Sequence, residues 1–407
     1  MLKPILRAAC ALLLLAFALP AEAAPDHPLI LISIDGFRAD YLGPAATPRL
    51  AALAAEGSVA AQGMIPSFPS VTFPNHTTLV TGLWPDHHGI VNNGFTDPAM
   101  PGTFTMASKE PAWWAAAVPI WVTAEKAGLP TGVMFWPGVA VPHDGVTPRL
   151  FRDYDRTITP QQRVATVLDW FGLPQDQRPR FATLYFEAVD SAGHAHGPGS
   201  PEVAQALRTI DTAVGQLVDG LTARGITPNL VIVADHGMAA VGPDNLVLID
   251  DAIDPAIAKA AFEGTIVGLN PATPDSAAAL AERITRPMPH MQCWPKARIP
   301  PQLHYGTNPR EPAVICQVET GWLALSRASW TKSRALHPKG LEKGAHGYAI
   351  DDPTMAALFI AHGPAFRGHL IAPRFPNVDV YPLMARVLGI TPLPNDGNLA
   401  EVAGILR

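Results

Sequence analysis

Residues 28–36 read Pro-Leu-Ile-Leu-Ile-Ser-Ile-Asp-Gly, a short run of mostly branched apolar residues that ends in Asp35-Gly36. An unbroken apolar run of this length is typical of a strand that is buried on both faces of a parallel sheet. Asp35 would then lie at the carboxyl end of the strand, the edge where open α/β sheets bind ligands. The stretch therefore predicts a central strand that delivers a carboxylate to a site.

The same pattern occurs twice more in the 407-residue chain. Residues 181–187 are a mainly apolar stretch followed by Asp190, and residues 229–234 are a mainly apolar stretch followed directly by Asp235. Between them, apolar residues recur every three or four positions over 207–221, which predicts an amphipathic helix. Strands that alternate with helices over this length predict an α/β protein with a doubly wound, mainly parallel sheet and helices on both faces.

The first 23 residues have the features of a secretory signal peptide. Lys3 and Arg7 precede an apolar stretch over residues 8–19 that is too short to span a membrane. Ala21-Glu22-Ala23 matches an A-x-A cleavage site, so cleavage is expected after Ala23 or Ala24. The sequence therefore predicts a periplasmic or secreted protein without a stable membrane anchor.

Composition limits the classes of partner. With 48% hydrophobic and 16% charged residues, the chain can bury a large core and does not resemble a disordered protein. Removal of residues 1–23 would leave 27 basic and 34 acidic side chains, a net charge of −7. A protein that binds duplex nucleic acid needs a basic face, so this balance argues against such a partner. Composition does not determine the oligomeric state.

The pattern changes between about residues 250 and 335, where short strand-like segments surround one predicted helix. We interpret this region as a small α+β insertion in a single domain that covers residues 24–407. The insertion contains Cys293 and Cys316, the two cysteines of the processed chain. In an oxidising compartment a disulfide between them is the simplest expectation, although the sequence does not show that they meet.

Residues 66–76 read Pro-Ser-Phe-Pro-Ser-Val-Thr-Phe-Pro-Asn-His and predict a loop that turns into a helix. Pro74 suits the first turn of that helix, and Gly82 suits its end. Thr72 would face free backbone N–H groups and the positive end of the helix dipole, which favour an anionic oxygen and a phosphoryl ligand. Thr72 is thus a candidate nucleophile, with a simple helix cap as the alternative.

Potential metal ligands follow the predicted strands or lie in loops near them: Asp35, Asp190, His194, Asp235, His236 and His346. Carboxylates and imidazoles crowded at one edge of a sheet would repel or remain unsatisfied unless cations joined them, and this mixture suits two Zn²⁺ ions. Each residue alone has a simpler explanation, such as a turn. Together, and beside Thr72, they favour a two-metal site that clamps the attacking and leaving oxygens of a displacement.

Six motifs lie between Ile34 and Tyr348, within a match that runs from Asp35 to about Phe366: Ile34-Asp35-Gly36, Ser70-Val71-Thr72-Phe73-Pro74-Asn75-His76, His88-Gly89-Ile90-Val91-x-Asn93, Val189-Asp190-x-x-Gly193-His194-x-x-Gly197-Pro198, Ala234-Asp235-His236-Gly237-Met238 and His346-Gly347-Tyr348. In combination they resemble the nucleotide pyrophosphatase/phosphodiesterase family of the alkaline phosphatase superfamily, over nearly the whole processed chain. The resemblance implies an alkaline phosphatase-like fold. It also implies zinc-dependent hydrolysis of nucleotide phosphodiester and pyrophosphate bonds, with release of nucleoside 5'-monophosphates.

The resemblance also implies roles for individual residues. One zinc ion would be held by Asp190, His194 and His346, and the other by Asp35, Asp235 and His236 together with Thr72. Thr72 would attack phosphorus and form a phosphothreonine intermediate, which is then hydrolysed. Asn93 and the backbone N–H of Phe73 would hold a non-bridging oxygen of the phosphoryl group. Asn93 could instead be a turn residue, because Asn-Asn-Gly is also a good turn sequence.

Three aromatic residues, Phe73, Tyr154 and Tyr185, resemble positions that line a nucleobase slot in this family. Stacking on such side chains contributes about 1–3 kcal/mol per base and tolerates different bases, so a small-molecule nucleotide is the expected substrate. Tyr185 lies in a predicted strand and could equally belong to the core.

Other functions are consistent with parts of the same pattern. A phosphomonoesterase of this superfamily would share the metals and nucleophile, but residues 151–156 mix Arg with Asp and lack a Lys-x-Arg pair that could bind a terminal phosphate. A phosphodiesterase that acts on choline-bearing lipids remains open, since it would need an acidic and aromatic cage. A sulfatase is disfavoured because Thr72 stands at the nucleophile position. A metal-stabilised binding protein without turnover would be suggested by loss of a ligand or of Thr72, and none is missing.

Overall fold

The computed structural model describes residues 27–336 and 341–407. The predicted signal peptide lies outside the described residues. In the described part the strands are β1 (Leu29–Ile34), β2 (Ser58–Ala60), β3 (Phe95–Thr96), β4 (Thr103–Phe104), β5 (Thr131–Met134), β6 (Leu150–Arg152), β7 (Phe181–Phe186), β8 (Asn229–Val233), β9 (Ala239–Ala240), β10 (Leu246–Leu248), β11 (Ala258–Phe262), β12 (Ile266–Pro271), β13 (Met291–Pro295), β14 (Val314–Val318), β15 (Leu323–Leu325), β16 (Gly344–Ala345), β17 (Phe359–His362) and β18 (Leu370–Ala372).

The α-helices of the same residues are α1 (Pro48–Glu56), α2 (Thr72–Thr81), α3 (Pro85–His88), α4 (Pro111–Trp114), α5 (Ile120–Lys126), α6 (Pro160–Phe171), α7 (Ala188–His196), α8 (Pro201–Thr222), α9 (Ile249–Ala252), α10 (Ala277–Arg283), α11 (Arg327–Leu336), α12 (Val380–Leu388) and α13 (Leu399–Val402). None of the helices in residues 27–336 and 341–407 is both long and apolar enough to cross a membrane.

An eight-stranded sheet with the order β18-β2-β17-β8-β1-β7-β5-β6 forms the centre of the fold. Only β17 runs against its neighbours, and the other adjacent pairs of this sheet are parallel. All six residues of β1 are buried between β8 and β7, which explains its unbroken apolar sequence. Helix α8 packs against α1 and α6, while α12 packs against α2 and α5. The predicted α/β fold with a mainly parallel sheet is confirmed.

A second sheet, with the antiparallel order β11-β12-β14-β13, lies in the region predicted as an α+β insertion. It packs with α10 around a hydrophobic core of its own, in which Val267, Leu269 and Leu280 are buried. Cys293 and Cys316 are paired directly across β13 and β14 and form a disulfide. The register of this hairpin-like pair therefore brings together two cysteines that the sequence alone could not place.

Glu311 lies where the insertion meets α3. Its environment makes the free energy of unfolding depend on pH. Its side chain is fully buried, and the Nζ atom of Lys296 is 3.7 Å from Oε2. Burial, together with the nearby Asp86 carboxylate, raises the pKa of Glu311 to about 9. Tyr305, which the charge of Glu311 also affects, is buried beside it. Because an unfolded Glu has a pKa of about 4.3, the folded protein holds an extra proton between these values and loses stability as pH rises toward 9.

We expect Glu311→Gln to remove this loss. Between pH 6 and pH 9 the wild-type free energy of unfolding should fall relative to the variant by up to about 1 kcal/mol per pH unit. Urea unfolding at pH 6, 7.5 and 9 measures the difference, with Glu282→Gln as a control at an exposed glutamate of the same insertion. Equal pH slopes for wild type and Glu311→Gln would contradict the prediction.

Candidate active site

Three carboxylates meet at the carboxyl ends of the central strands. Asp35 directly follows β1, Asp235 follows β8, and Asp190 lies in the first turn of α7 after β7. Because β8, β1 and β7 are adjacent and parallel, these ends lie side by side. Gly36 permits the close approach: it has φ 67°, its N–H lies 3.3 Å from Asp235 Oδ1, and a Cβ there would come within 3.0 Å of the Asp190 backbone.

The carboxylate cluster, defined as Asp35, Asp190 and Asp235, contains buried oxygens without hydrogen-bond partners. They are Asp35 Oδ1, Asp190 Oδ1 and Asp235 Oδ2, one from each residue. Burial, with the charges of Asp235 and Asp190, raises the pKa of Asp35 well above its ordinary range. Burial opposes ionisation of Asp190 and Asp235 too, but His194 beside Asp190 and His236 beside Asp235 lower the pKa of these two carboxyls. The buried oxygens that lack hydrogen-bond partners remain costly, so the arrangement favours added positive charge.

Three imidazoles face the carboxylate cluster through their Nε2 atoms. His236 Nε2 lies 3.5 Å from Asp35 Oδ1, and the Nε2 atoms of His194 and His346 lie 3.4 and 3.6 Å from Asp190 Oδ1. His194 is one helical turn from Asp190 in α7.

The opposite nitrogen of each imidazole is fixed by the protein. His236 Nδ1 lies 2.9 Å from the Gly237 carbonyl, His346 Nδ1 lies 3.1 Å from the Ser70 carbonyl, and His194 Nδ1 lies 3.0 Å from both the Gly344 carbonyl and Glu342 Oε2. A carbonyl can only accept, so each Nδ1 carries a proton, and in the neutral ring Nε2 then presents its lone pair to the carboxylate cluster. This tautomer is the one found in histidines that ligate metals.

The donor set fits two divalent cations of the zinc type. Two groups of ligand atoms lie within 4.8 Å of one another: Asp190 with His236 and His346, and Asp35 with His76 and Asp235. Asp and His donors with orphaned carboxylate oxygens are the chemistry that Zn²⁺ accepts. Five of the six predicted ligands belong to these groups, and the sixth, His194, lies 3.4 Å from Asp190 Oδ1. The prediction paired His236 with Asp35 and Asp235, but the structure groups it with Asp190 and His346, while its Nε2 also lies 3.5 Å from Asp35 Oδ1.

His76 belongs to this neighbourhood but has both ring nitrogens engaged. Its Nδ1 lies 2.9 Å from the Thr72 carbonyl, and its Nε2 lies 2.9 Å from Ser33 Oγ. With Nδ1 as donor to a carbonyl, Nε2 accepts from the hydroxyl and is not available to a cation. His76 thus connects the first turn of α2 to β1 and packs beside the ligands without acting as one.

Thr72 is the first residue of α2 and faces the carboxylate cluster. The N-cap residue is Val71, so the helix-cap alternative for Thr72 is not supported. Thr72 Oγ1 lies 3.3 Å from His236 Nε2. Helix α2 ends at Thr81, and Gly82 adopts a left-handed conformation directly after it, as predicted. The hydroxyl therefore sits at a helix N-terminus beside the predicted ligands.

Asn93 and Phe73 bond to each other. The Phe73 N–H donates to Asn93 Oδ1 at 2.8 Å, which leaves Nδ2 as the remaining donor of the amide. The two groups that were predicted to share a phosphoryl oxygen are thus adjacent, but the Phe73 N–H is already directed at Asn93. The geometry favours Asn93 Nδ2 as the donor available to a ligand.

A cavity of about 760 Å³ opens beside the carboxylate cluster and is lined by aromatic side chains. They include all three predicted slot residues: Phe73, Tyr154 and Tyr185. Tyr154 is 53% exposed at the mouth. The hydroxyl of Tyr185 donates to Asp35 Oδ2 at 2.6 Å, so this residue touches both the cavity and the cluster and is not a pure core residue.

Away from the carboxylate cluster, the charged side chains that line the cavity are paired. Lys109 Nζ lies 2.8 Å from Asp153 Oδ2, and the Arg163 guanidinium binds Glu187 with both of its terminal nitrogens at 2.5 and 2.9 Å. Lys109, Asp153 and Glu187 line the cavity. Neither carboxylate therefore carries an unopposed negative charge into the aromatic slot.

Sequence reasoning missed several of these residues. His76 was left without a role, and Glu342 and Lys109 were not considered. His76 lies four residues after Thr72 on a predicted helix, which was a usable signal for contact with the Thr72 carbonyl. The contact of Glu342 with His194 spans 148 residues and has no local signal.

The chain is similar in sequence to known proteins. A sequence model described as "Type I phosphodiesterase / nucleotide pyrophosphatase" matches residues 29–349. Ectonucleotide pyrophosphatase/phosphodiesterase family member 3 of Bos taurus is 36% identical over 395 residues, which cover 93% of this chain and 44% of that protein. The chain thus spans less than half the length of this curated relative.

Solved structures of similar proteins cover the chain more fully. Human ectonucleotide pyrophosphatase/phosphodiesterase 5 is 30% identical and has a TM-score of 0.86, covering 94% of this chain and 100% of its own. The murine counterpart, in an inactive threonine-to-alanine form in complex with AMP, is 28% identical and has a TM-score of 0.84, with the same coverage.

Proposed function

The chain belongs to the type I phosphodiesterase / nucleotide pyrophosphatase family, and from this membership we propose that it hydrolyses nucleotide phosphodiester and pyrophosphate bonds with release of nucleoside 5'-monophosphates. The observation that carries the proposal is the position of Thr72 Oγ1, which lies beside orphaned carboxylate oxygens and an imidazole at the edge of an aromatic cavity. A nucleotide has the matching parts, since its base can stack while its phosphate reaches Thr72.

Two zinc ions would be held by Asp190, His194 and His346 and by Asp35, Asp235, His236 and Thr72. When bound, they would supply the positive charge that the carboxylate cluster requires and would favour the deprotonated form of the Thr72 hydroxyl. The support for this assignment is the fixed Nδ1–H tautomer of the imidazoles and the orphaned oxygens.

The residues of the chain suggest the following reaction. Thr72 gives up its hydroxyl proton as Oγ1 attacks phosphorus. A P–Oγ1 bond forms, the bond to the leaving oxygen breaks, and that oxygen takes up a proton to leave as an alcohol or a phosphate. Asn93 Nδ2 donates to a non-bridging oxygen, where negative charge develops. Water then hydrolyses the phosphothreonine, which releases the monophosphate and restores the hydroxyl. The base would stack against Phe73 and Tyr154, and Tyr185 would hold Asp35 in place through its hydroxyl.

The cavity charges bear on the alternative substrates. A choline headgroup requires unopposed negative charge among aromatic rings, but Glu187 is bound by Arg163 and Asp153 by Lys109. A phosphomonoester carries one more negative charge than a diester, and an unpaired cationic side chain would be needed to neutralise it. Among the described residues that line the cavity, the one Lys or Arg is Lys109, and it is paired with Asp153. Both observations favour a nucleotide diester.

The proposal is tested by substrate preference. We expect the zinc-loaded protein to cleave the nitrophenyl ester of thymidine monophosphate with a far higher kcat/KM than nitrophenyl phosphate. A preference for the monoester would contradict the proposed function, and a choline phosphodiester as the best substrate would favour the lipid alternative.

The base slot predicts a second result. Phe73→Ala and Tyr154→Ala should each lower kcat/KM for the thymidine ester by roughly 5- to 150-fold, the equivalent of 1–3 kcal/mol of lost stacking. Methyl nitrophenyl phosphate has no base, so its kcat/KM should change little. A matched control is Phe151→Ala, an aromatic residue of β6 that does not line the cavity. An equal loss with both substrates would contradict a stacking role.

We also propose that the protein is exported. Support comes from the predicted signal peptide and from the disulfide between Cys293 and Cys316. Determination of the amino terminus of the protein recovered from the periplasm or medium tests it. A mature protein that begins after Ala23 or Ala24 is expected, and an intact Met1 in the cytoplasm would contradict it.

A further inference from the structure

Asn93 lies at the middle of a loop whose two ends are held by one side chain. The Nη1 atom of Arg310 donates to the carbonyl of Gly89 at 2.8 Å, and its Nε donates to Asp97 Oδ2 at 2.7 Å. Gly89 and Asp97 are each four residues from Asn93. The guanidinium therefore closes the 89–97 loop at its base, with Asn93 at the far end.

The same guanidinium holds the segment that follows the loop. Arg310 Nη1 also donates to the Trp113 carbonyl at 2.8 Å, and Nη2 donates to the Ala112 carbonyl at 3.2 Å. The guanidinium lies over the rings of Phe95 and Trp113 at 5.6 and 5.5 Å. The side chains of Arg310 and Asp97 are each only 9% exposed. The planar guanidinium donates to several fixed acceptors at once and therefore has little conformational freedom. It thus fixes the positions of the groups to which it donates.

Neighbouring residues of the insertion reinforce this contact. Asp86 Oδ1 accepts from the N–H groups of Gly306, Thr307 and Asn308 at 3.0, 2.9 and 3.1 Å. The hydroxyl of Tyr305 donates to the Val91 carbonyl at 3.0 Å. The segment 305–310 thus runs along residues 86–91 and ends at Arg310, so the insertion is joined to the backbone that precedes Asn93.

From this geometry we propose that Arg310 is a positioning residue, which keeps the Asn93 side chain bonded to the Phe73 N–H beside Thr72. The proposal rests on the proposed function, in which Asn93 stabilises charge during phosphoryl transfer. The effect of Arg310 on catalysis passes through Asn93: without the clamp the 89–97 loop samples other positions, and the amide is no longer held at the reacting group. Arg310 is not among the described residues that line the cavity.

A double-mutant cycle separates positioning from general stabilisation. The proteins are wild type, Arg310→Met, Asn93→Ala and the double variant, and kcat is measured with the thymidine ester and with methyl nitrophenyl phosphate. Asn93→Ala should lower kcat by roughly 10²- to 10³-fold, as removal of one such donor does. Arg310→Met should lower kcat by about 10-fold with both substrates, but by less than about 2-fold when Asn93 is already Ala, because the two residues act as one unit.

Further variants keep the test valid if Arg310→Met folds poorly. Asp97→Asn weakens the contact between Arg310 and the 89–97 loop from the side of the loop. Arg310→Lys retains the positive charge but not the planar guanidinium, so its kcat should lie between those of wild type and Arg310→Met. Arg327→Met is the matched control, since Arg327 is in the same insertion and pairs with the exposed Asp251. Its kcat should equal that of wild type.

Amide hydrogen exchange gives a readout that does not depend on turnover. The peptide that contains Phe73 should exchange faster in Arg310→Met than in Arg327→Met. If wild type cleaves the diesters but Arg310→Met lowers kcat by the same factor with Asn93 present as with Asn93→Ala, the positioning role is wrong and the proposed function stands. If wild type cleaves neither diester, the proposed function fails, and unchanged exchange at Phe73 would overturn the role of Arg310 separately.

Discussion

Replacement of Thr72 by alanine is expected to abolish turnover while leaving the fold intact. Loss of the attacking oxygen removes the covalent step, and in enzymes with covalent nucleophiles such a loss lowers kcat by roughly 10⁴-fold or more. The hydroxyl contributes little to stability, because its contact is with His236 Nε2 at 3.3 Å in the site itself. The urea midpoint should therefore stay close to that of wild type.

Two measurements check this expectation. Steady-state hydrolysis of the nitrophenyl thymidine ester gives the loss of kcat, and acid quenching during turnover should yield a phosphorylated peptide that contains Thr72 in wild type only. Thr77→Ala is the matched control: Thr77 lies on the same helix, and its hydroxyl donates to the Phe73 carbonyl at 2.8 Å. Activity of Thr72→Ala within tenfold of wild type would exclude a Thr72 nucleophile.

The sheet and the main helices could be predicted because their signals are local. The apolar runs at 29–34, 181–186 and 229–233 are strands, and each is buried on both faces in the centre of the sheet. Helix α6 begins at Pro160, where the capping box of Thr159 and Gln162, three residues apart in the sequence, fixes its start. Strands that end in Asp then predict where side chains meet, since parallel strands share one edge.

The parts that could not be predicted depend on contacts between distant residues. Arg310 and Gly89 are 221 positions apart, and no periodicity or turn signal connects them. The bond between the Phe73 N–H and Asn93 Oδ1 likewise depends on how a loop returns to a helix start. The motifs identified Phe73 and Asn93 but did not show that they contact each other. Because the Phe73 N–H is bonded to Asn93, only the Asn93 amide remains as a donor to a phosphoryl oxygen.

Zinc is expected to raise the stability of the metal-stripped protein, and the effect should depend on the carboxylate cluster. Without cations, Asp35, Asp190 and Asp235 are buried with orphaned oxygens, so the folded state carries unfavourable electrostatic repulsion. Ligand that binds only the folded state adds about 4 kcal/mol at a thousandfold excess over its Kd. We expect two zinc ions per chain and a clear rise in Tm after zinc is returned to chelator-treated protein.

Asp35→Asn distinguishes this explanation from a general effect of zinc. The amide removes one negative charge, so the metal-stripped variant should melt at a higher temperature than metal-stripped wild type, whereas its zinc-induced rise in Tm should be much smaller. Asp211→Asn is the matched control, because Asp211 is also buried but accepts hydrogen bonds from the N–H groups of Arg49 and Leu50. That variant should lose stability and keep the full zinc response, since its carboxylate has protein partners and no need of a cation. An equal zinc-induced rise in wild type and Asp35→Asn would mean that the ions bind elsewhere.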